Sequence, residues 1–124
     1  MINIKRGVNL KGLQPEIILA LMAATEAYSA FNLDCTITSA LDGEHMEGSK
    51  HYEGLAVDLR THTLNSEHTK THVIVAIRNA LGDDYDVLLH APDTINEHIH
   101  IEYDPKQVTE TTNKEVNEND NIKE

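Results

Sequence analysis

The sequence contains 124 residues, which is the usual length of one domain. It carries 21 acidic and 10 basic side chains, a formal net charge of −11, and so repels both phosphate backbones and anionic lipid surfaces. We therefore expect neither a nucleic-acid partner nor a membrane partner. Separately, a monomer is expected. Hydrophobic residues make up 40% of the chain, which is enough for one modest core.

Cysteine and histidine usage narrow the class of protein further. Cys35 is the single cysteine, which excludes an intramolecular disulfide framework and a cysteine-based zinc module. It lies in an apolar alternation, so we expect a buried structural thiol. No secretory signal is recognisable at the N-terminus, and we expect synthesis in the cytoplasm. Eight histidines are present, and they prompt a search for a metal site.

The first half of the chain contains one predicted helix and one predicted strand. Residues 1–14 are predicted to be a polar segment without a regular element. Pro15 is tolerated in the first turn of a helix, and the apolar spacing after it predicts a helix over about 15–30. The β-branched alternation of 33–40 predicts a strand, and the glycine-containing segment 41–52 predicts a loop.

The second half contains three more predicted strands. The segments 54–60, 85–90 and 97–103 alternate apolar and polar residues in the manner of strands. A helix is predicted between the first two of them, over about 66–81, with Gly82 at its C-terminus. Two helices and about four strands predict an α+β domain whose helices pack on one side of a small, mostly antiparallel sheet.

The composition changes after Pro105. Residues 106–124 are rich in Glu, Asn, Thr and Lys and contain only two Val and one Ile. Such a segment buries too little apolar area to offset the entropy of ordering, and a disordered acidic tail is predicted. The domain is accordingly predicted to comprise residues 1–105.

Histidines and carboxylates occur together in two segments, SKHYEGLAVD (49–58) and EHIH (97–100). If their strands are neighbours, His51, Asp58 and His100 converge on the face of the sheet opposite the core. Two imidazoles and one carboxylate with a free fourth position are the ligand set of a catalytic zinc site. Mononuclear non-haem iron uses the same set, so the residues alone leave the metal open. The alternative is a chance placement of polar residues on a solvated sheet face.

The paired motifs S-x-H-x-x-G-x-A-x-D and E-x-x-H, in this order, resemble those of the LAS metallopeptidases. That group comprises lysostaphin-type enzymes, D-alanyl-D-alanine peptidases and the hedgehog signalling domain. The resemblance extends over about residues 13–105 and is greatest to small phage-type D-Ala-D-Ala carboxypeptidase-like or endolysin-like members. It implies their fold, a zinc ion bound by His51, Asp58 and His100, and Glu97 as the general base.

The resemblance also implies a substrate. Such enzymes cleave a peptide bond in the peptidoglycan stem peptide, as L-alanyl-D-glutamate endopeptidases or as D-Ala-D-Ala carboxypeptidases. A protein without a secretory signal would then act on the cell wall after release through a holin pore, or as part of a virion. The competing expectation is a catalytically silent zinc-binding structural or cell-wall-binding module of the same fold.

Two features depart from a simple match. Strict alternation places Glu97 on the face opposite His100, so Glu97 must lie on a turn or a bulge to serve as the base. His98 shares the face of His100 and is a second catalytic candidate, as an acid, an oxyanion stabiliser or a replacement ligand.

Many relatives carry an arginine ahead of the first motif. The corresponding segment here, TSALDGEHMEG (38–48), lacks an arginine, and the candidates to replace it are His45, Lys50 and Arg60.

Overall fold

Five strands form one mixed sheet, and two helices pack on it, in the computed structural model, which describes residues 1–106. The elements are β1 (Ile2–Ile4), α1 (Pro15–Ser29), β2 (Cys35–Ser39), a single 3-10 turn (Lys50–Glu53), β3 (Ala56–Arg60), α2 (Glu67–Leu81), β4 (Tyr85–His90) and β5 (His98–Tyr103). The strand order is β1-β2-β3-β5-β4, with β1 parallel to β2 and the other pairs antiparallel. The predicted α+β class is thus confirmed.

The helices begin and end where local chemistry requires. Pro15 occupies the first turn of α1, where its missing N–H needs no partner. The side chain of Ser66 accepts a hydrogen bond of 3.1 Å from the backbone N–H of Thr69 and caps α2. Gly82, with φ of 82°, follows the last turn of α2 as predicted. Neither helix in residues 1–106 has the length and apolar content needed to cross a membrane.

The strand β1 corrects the prediction of an irregular N-terminal segment. Its three residues are exposed and too few to show a periodic pattern, so the sequence gives no strand signal there. Pairing is supplied by β2, in the register Ile2 to Cys35. The N–H of Lys5 continues the ladder by donating to the carbonyl of Ile37 at 2.9 Å. The sheet therefore has five strands rather than four.

The core lies between the helices and one face of the sheet. Val57 and Leu59 on β3 and Ile99 and Ile101 on β5 are fully buried there. Because side chains alternate along a strand, the residues between them face the other side, where the candidate metal site is found. Cys35 is buried in the core, and this burial raises the pKa of its thiol to about 12, which makes it unreactive.

The predicted acidic tail, residues 106–124, lies outside the described residues except for Lys106. The ammonium group of Lys106 contacts the carboxylate of Asp86 on β4 at 3.1 Å. Its backbone N–H donates to Asp84 at 3.1 Å. The described chain therefore ends against the start of β4.

Candidate metal centre

The three predicted ligands are brought together by the pairing of β3 with β5. Asp58 and His100 are directly opposite each other in the antiparallel register, on the face away from the core. His51 reaches the same place from the 3-10 turn, where its backbone N–H donates to the Ser49 hydroxyl at 3.1 Å. The sequence prediction that these three residues converge is confirmed.

The turn that carries His51 depends on a glycine. Gly54 ends it in the left-handed conformation, with φ of 73°. A Cβ atom at this position would lie 2.1 Å from the carbonyl oxygen of Gly12, so the two backbone segments are in close contact. A side chain at residue 54 would therefore push the His51 turn away from the sheet.

The distances within the cluster suit a small cation. The side chains of His51, Asp58 and His100 are buried, and each offers a ligand atom within 4.8 Å of the others. His51 Nε2 lies 3.3 Å from Asp58 Oδ1, and His100 Nδ1 lies 2.8 Å from the same oxygen. Tetrahedral ligands at about 2.0–2.1 Å from zinc are roughly 3.3 Å apart, so the cluster needs little expansion to hold a metal ion.

Hydrogen bonding selects the ring nitrogen of His51 that faces the cluster. Its Nδ1 lies 2.7 Å from the carbonyl oxygen of Ala40. A carbonyl only accepts, so Nδ1 carries a hydrogen, and Nε2 is the nitrogen that faces Asp58 and can bind a cation. A metal-binding histidine in proteins is typically held in this way by its second nitrogen.

The electrostatics of the cluster favour a positive charge at its centre. Burial raises the pKa of Asp58, but hydrogen bonds from His100 and His51 outweigh burial and hold that pKa below its ordinary value. Burial lowers the pKa of His100, whereas contacts with Asp58 and Glu102 outweigh it and raise that pKa. These contacts thus favour the protonated form of His100, and a divalent cation bound in the cluster would displace such a proton.

Two further histidines enclose the cluster. The ring of His45 stacks on His51, with centroids 3.9 Å apart and planes within 5°. The ring of His90 stacks on His100 at 4.9 Å, with planes within 9°. Burial and the neighbouring His100 lower the pKa of His90, which favours its neutral form. The stacked rings restrict the orientations open to His51 and His100.

Glu97 lies just before β5, outside the strand alternation, as its proposed role requires. Its carboxylate accepts three hydrogen bonds, from the Thr61 hydroxyl at 2.6 Å, the Lys70 ammonium at 3.0 Å and the Asp93 backbone N–H at 3.0 Å. The Asp93 and Thr61 bonds, with that of Lys70, lower the pKa of Glu97 to about 2. Glu97 is not among the three clustered ligands, and its side chain is 8% exposed.

His98 faces the centre without joining it. Its Nδ1 lies 2.8 Å from the Asn96 carbonyl oxygen and so carries a hydrogen, and Nε2 is the nitrogen that faces the cluster. That Nε2 is 3.7 Å from Asp58 Oδ2. The geometry therefore favours His98 beside the centre rather than as a replacement for a ligand.

A polar cavity of about 400 Å³ adjoins the centre. Asp58, Glu97 and His98 line it, so both candidate catalytic residues share one space with a metal-site residue. Of the three candidates to replace the missing arginine, Arg60 lies in this lining and His45 and Lys50 do not. Lys5, which was not a candidate, also lines the cavity. Although the protein is acidic overall, two cationic side chains therefore lie in the cavity beside the candidate metal centre.

Three residues of the site were missed by sequence reasoning. Thr61 and Lys70 contact Glu97 from positions 36 and 27 residues away, and no motif links them to it. Glu102 contacts His100, and here a signal was available, because the two are two residues apart on one strand and share a face.

Comparison of the chain with models of protein families, with curated proteins and with solved structures finds no match. The case for a metal site consequently rests on geometry. His51, Asp58 and His100 form a buried cluster that could hold a metal ion.

Proposed function

We propose that the protein is a zinc-dependent peptidase that hydrolyses a peptide bond in the stem peptide of peptidoglycan. The observation that carries the proposal is the buried cluster of His51, Asp58 and His100 beside a cavity that also contains Glu97 and His98. The class of substrate is inferred from the motif resemblance. The family that the motifs resemble includes L-alanyl-D-glutamate endopeptidases and D-Ala-D-Ala carboxypeptidases.

The choice of zinc rests on the donor set. Two imidazole nitrogens and one carboxylate oxygen leave a fourth position free, which is the pattern of catalytic rather than structural zinc sites. The cavity is lined in part by Asp58, so a substrate bound in the cavity would lie beside the cluster. A zinc ion held by His51, Asp58 and His100 would polarise a carbonyl group and lower the pKa of a bound water toward ~7.

The protein's own residues divide the remaining chemistry. Glu97 is ionised and lines the cavity, so we assign it the role of general base, which accepts a proton from the attacking water. An efficient base has a pKa near the working pH, so loss of one of its three hydrogen bonds would strengthen Glu97 as a base. His98, with its ring fixed by Asn96, is assigned to stabilise the charge that develops on the scissile carbonyl by donating a hydrogen from Nε2.

One observation favours a second candidate, a silent zinc-binding module of the same fold. Both carboxylate oxygens of Glu97 already accept hydrogen bonds from the protein, which is typical of a carboxylate with a structural role. In such a module the cluster would hold zinc and the cavity would bind a wall peptide without cleaving it. The two candidates differ in turnover and not in metal content.

Two further parts of the proposal rest on the resemblance. We assign the sheet and its two helices to the hedgehog and D-Ala-D-Ala peptidase-like fold. We also assign the place of action to the bacterial cell wall, reached through a holin pore or on a virion. The polar lining of the cavity supports a peptide ligand over an apolar one.

The test is digestion of purified peptidoglycan, with the new termini identified by mass spectrometry of the muropeptides. Wild type is expected to cleave one type of bond, and Glu97→Gln to lose this activity. The control is Glu67→Gln, because Glu67 also lies near Lys70, at 3.8 Å, but is exposed and outside the cavity. A wild type that binds zinc yet cleaves no stem peptide would establish the silent module instead.

A further inference from the structure

Glu102 makes a contact with the metal centre that neither motif predicts. It lies on β5 two residues after His100, on the same face of the sheet. Its Oε1 is 2.9 Å from His100 Nε2, while Asp58 Oδ1 is 2.8 Å from Nδ1 of the same ring. The two nitrogens of His100 are thus each in contact with a carboxylate.

The two contacts have different consequences when a cation binds. Asp58 is itself a member of the cluster, so a cation would replace the proton between Asp58 and Nδ1 of His100. Glu102 lies on the far side of the ring and can only accept a hydrogen from Nε2. That hydrogen bond keeps Nε2 protonated and leaves the lone pair on Nδ1, which faces the cluster.

We infer that Glu102 is a positioning residue that holds His100 in the orientation and tautomer required for metal binding through Nδ1. This inference rests on the metal centre of the proposed function and not on peptide hydrolysis. A carboxylate behind a metal-binding imidazole fixes the ring and increases its basicity. Glu102 therefore acts on the metal through His100, as the carbonyl of Ala40 does through His51.

Two neighbouring carboxylates pair with a lysine rather than with the His100 ring. Asp86 lies directly opposite Glu102 in the pairing of β4 with β5, and Asp104 lies one residue beyond the end of β5. Both are paired with the ammonium group of Lys106, at 3.1 Å and 3.6 Å. Within the described residues, it is Glu102 that contacts Nε2 of His100, and Asp86 provides a matched control for its charge.

The experiment measures zinc affinity of the full-length chain by competition with a chelator. Glu102→Ala is expected to weaken zinc binding by about 10- to 100-fold. Glu102→Gln keeps an oxygen that accepts the Nε2 hydrogen and is expected to restore part of the affinity. Asp86→Asn removes the same charge at the opposite position and is expected to bind zinc like wild type.

A second readout follows the hydrogen bond itself. In ¹H–¹⁵N spectra of the zinc-loaded protein, the Nε2 hydrogen of His100 should be protected from exchange in wild type and in Glu102→Gln. It should exchange rapidly in Glu102→Ala. Equal losses of affinity in Glu102→Ala and Asp86→Asn, or wild-type affinity in Glu102→Ala, would overturn the inference.

The outcomes also separate this inference from the peptidase proposal. If wild type binds no zinc, both are overturned. If zinc binding depends on Glu102 but no stem peptide is cleaved, the positioning role stands and the hydrolase is excluded. If peptides are cleaved while Glu102→Ala binds zinc normally, the hydrolase stands and the positioning role is excluded.

Discussion

Asp58 and His100 stand directly opposite each other on β3 and β5, and Asp58 Oδ1 lies 2.8 Å from His100 Nδ1. The two residues are 42 positions apart in the chain. The pairing of β3 with β5 therefore brings the two sequence motifs together in one site. A shift of one residue in the register would turn one of the two side chains into the core. The buried isoleucines beside His100 oppose such a shift and so maintain the site.

The first prediction concerns zinc and stability. A ligand that binds only the folded state stabilises it by about 2.7 kcal/mol at a concentration 100 times its Kd. Zinc is therefore expected to raise the melting temperature of wild type, and a chelator to reverse the increase. Asp58→Asn should abolish the zinc-dependent part, since it removes the anionic ligand. A melting temperature that responds to zinc equally in both proteins would contradict the proposed ligand set.

The second prediction concerns the turn that carries His51. Gly54→Ala places a Cβ against the Gly12 carbonyl and also strains a positive φ. Gly48→Ala shares the positive φ, of 82°, but has nothing within 4 Å of its Cβ. We expect a loss of about 1 kcal/mol in the free energy of unfolding for Gly48→Ala, and at least twice that loss for Gly54→Ala.

Zinc affinity distinguishes the two glycine variants further. Gly54→Ala should weaken zinc binding because the His51 turn is displaced, whereas Gly48→Ala should leave it unchanged. Urea unfolding and chelator competition measure the two effects separately. Equal results for the two variants would show that the close approach of Gly54 to Gly12 does not position His51.

Much of the centre was predictable from the sequence because strand alternation decides which side chains share a face. That rule placed Asp58 and His100 opposite the core, and it required Glu97 to lie outside the strand, where it is found. The same rule could not place His45, because His45 lies in a loop. Its backbone is held there by the Tyr52 hydroxyl, which bonds to its N–H at 2.6 Å and to its carbonyl at 2.8 Å.

Other contacts were unpredictable for a different reason. Lys70 reaches Glu97 from α2, and helical periodicity shows which face is buried but not which distant residue meets it. The strand β1 was missed because its hydrogen bonds come from β2 and not from any preference of three exposed residues. In both cases the deciding partner is remote in sequence.

The third prediction concerns acid stability. The pKa of Glu97 is lowered by folding from an ordinary 4.5 to about 2. A carboxyl group with a lowered pKa adds stability that is complete above its unfolded pKa and is lost as the pH falls through its folded pKa. Glu97 therefore stabilises the protein fully above about pH 5, and this contribution disappears between about pH 5 and pH 2.

Comparison of Glu97→Gln with wild type isolates this contribution. At pH 7 we expect the variant to be less stable by about 2 kcal/mol, since charged hydrogen bonds to Thr61 and Lys70 are weakened. At pH 3 the difference in the free energy of unfolding should be clearly smaller. Asp58 is present in both proteins, so its own titration cancels. A difference that is independent of pH would mean that Glu97 titrates as in the unfolded chain.

The last prediction concerns Arg60 and the substrate. Arg60 lines the cavity and lies two residues after Asp58 on β3, so its Cα is roughly 7 Å from that of the ligand. The hydroxyl of Tyr28 donates to the Arg60 carbonyl at 2.6 Å and fixes the backbone there. A substrate carboxylate next to the scissile bond would lie within reach of the guanidinium group, and charge-assisted hydrogen bonds of this kind contribute about 1.5–3 kcal/mol.

Arg60→Ala should therefore raise KM by about tenfold or more for stem peptides with a carboxylate beside the scissile bond, with a smaller change in kcat. The same peptides with that carboxylate converted to an amide should be cleaved equally by both proteins. Lys50→Ala, which removes a cation outside the cavity lining, serves as the control and should behave as wild type. If Arg60→Ala changes KM equally for acid and amide substrates, Arg60 shapes the cavity without binding the carboxylate.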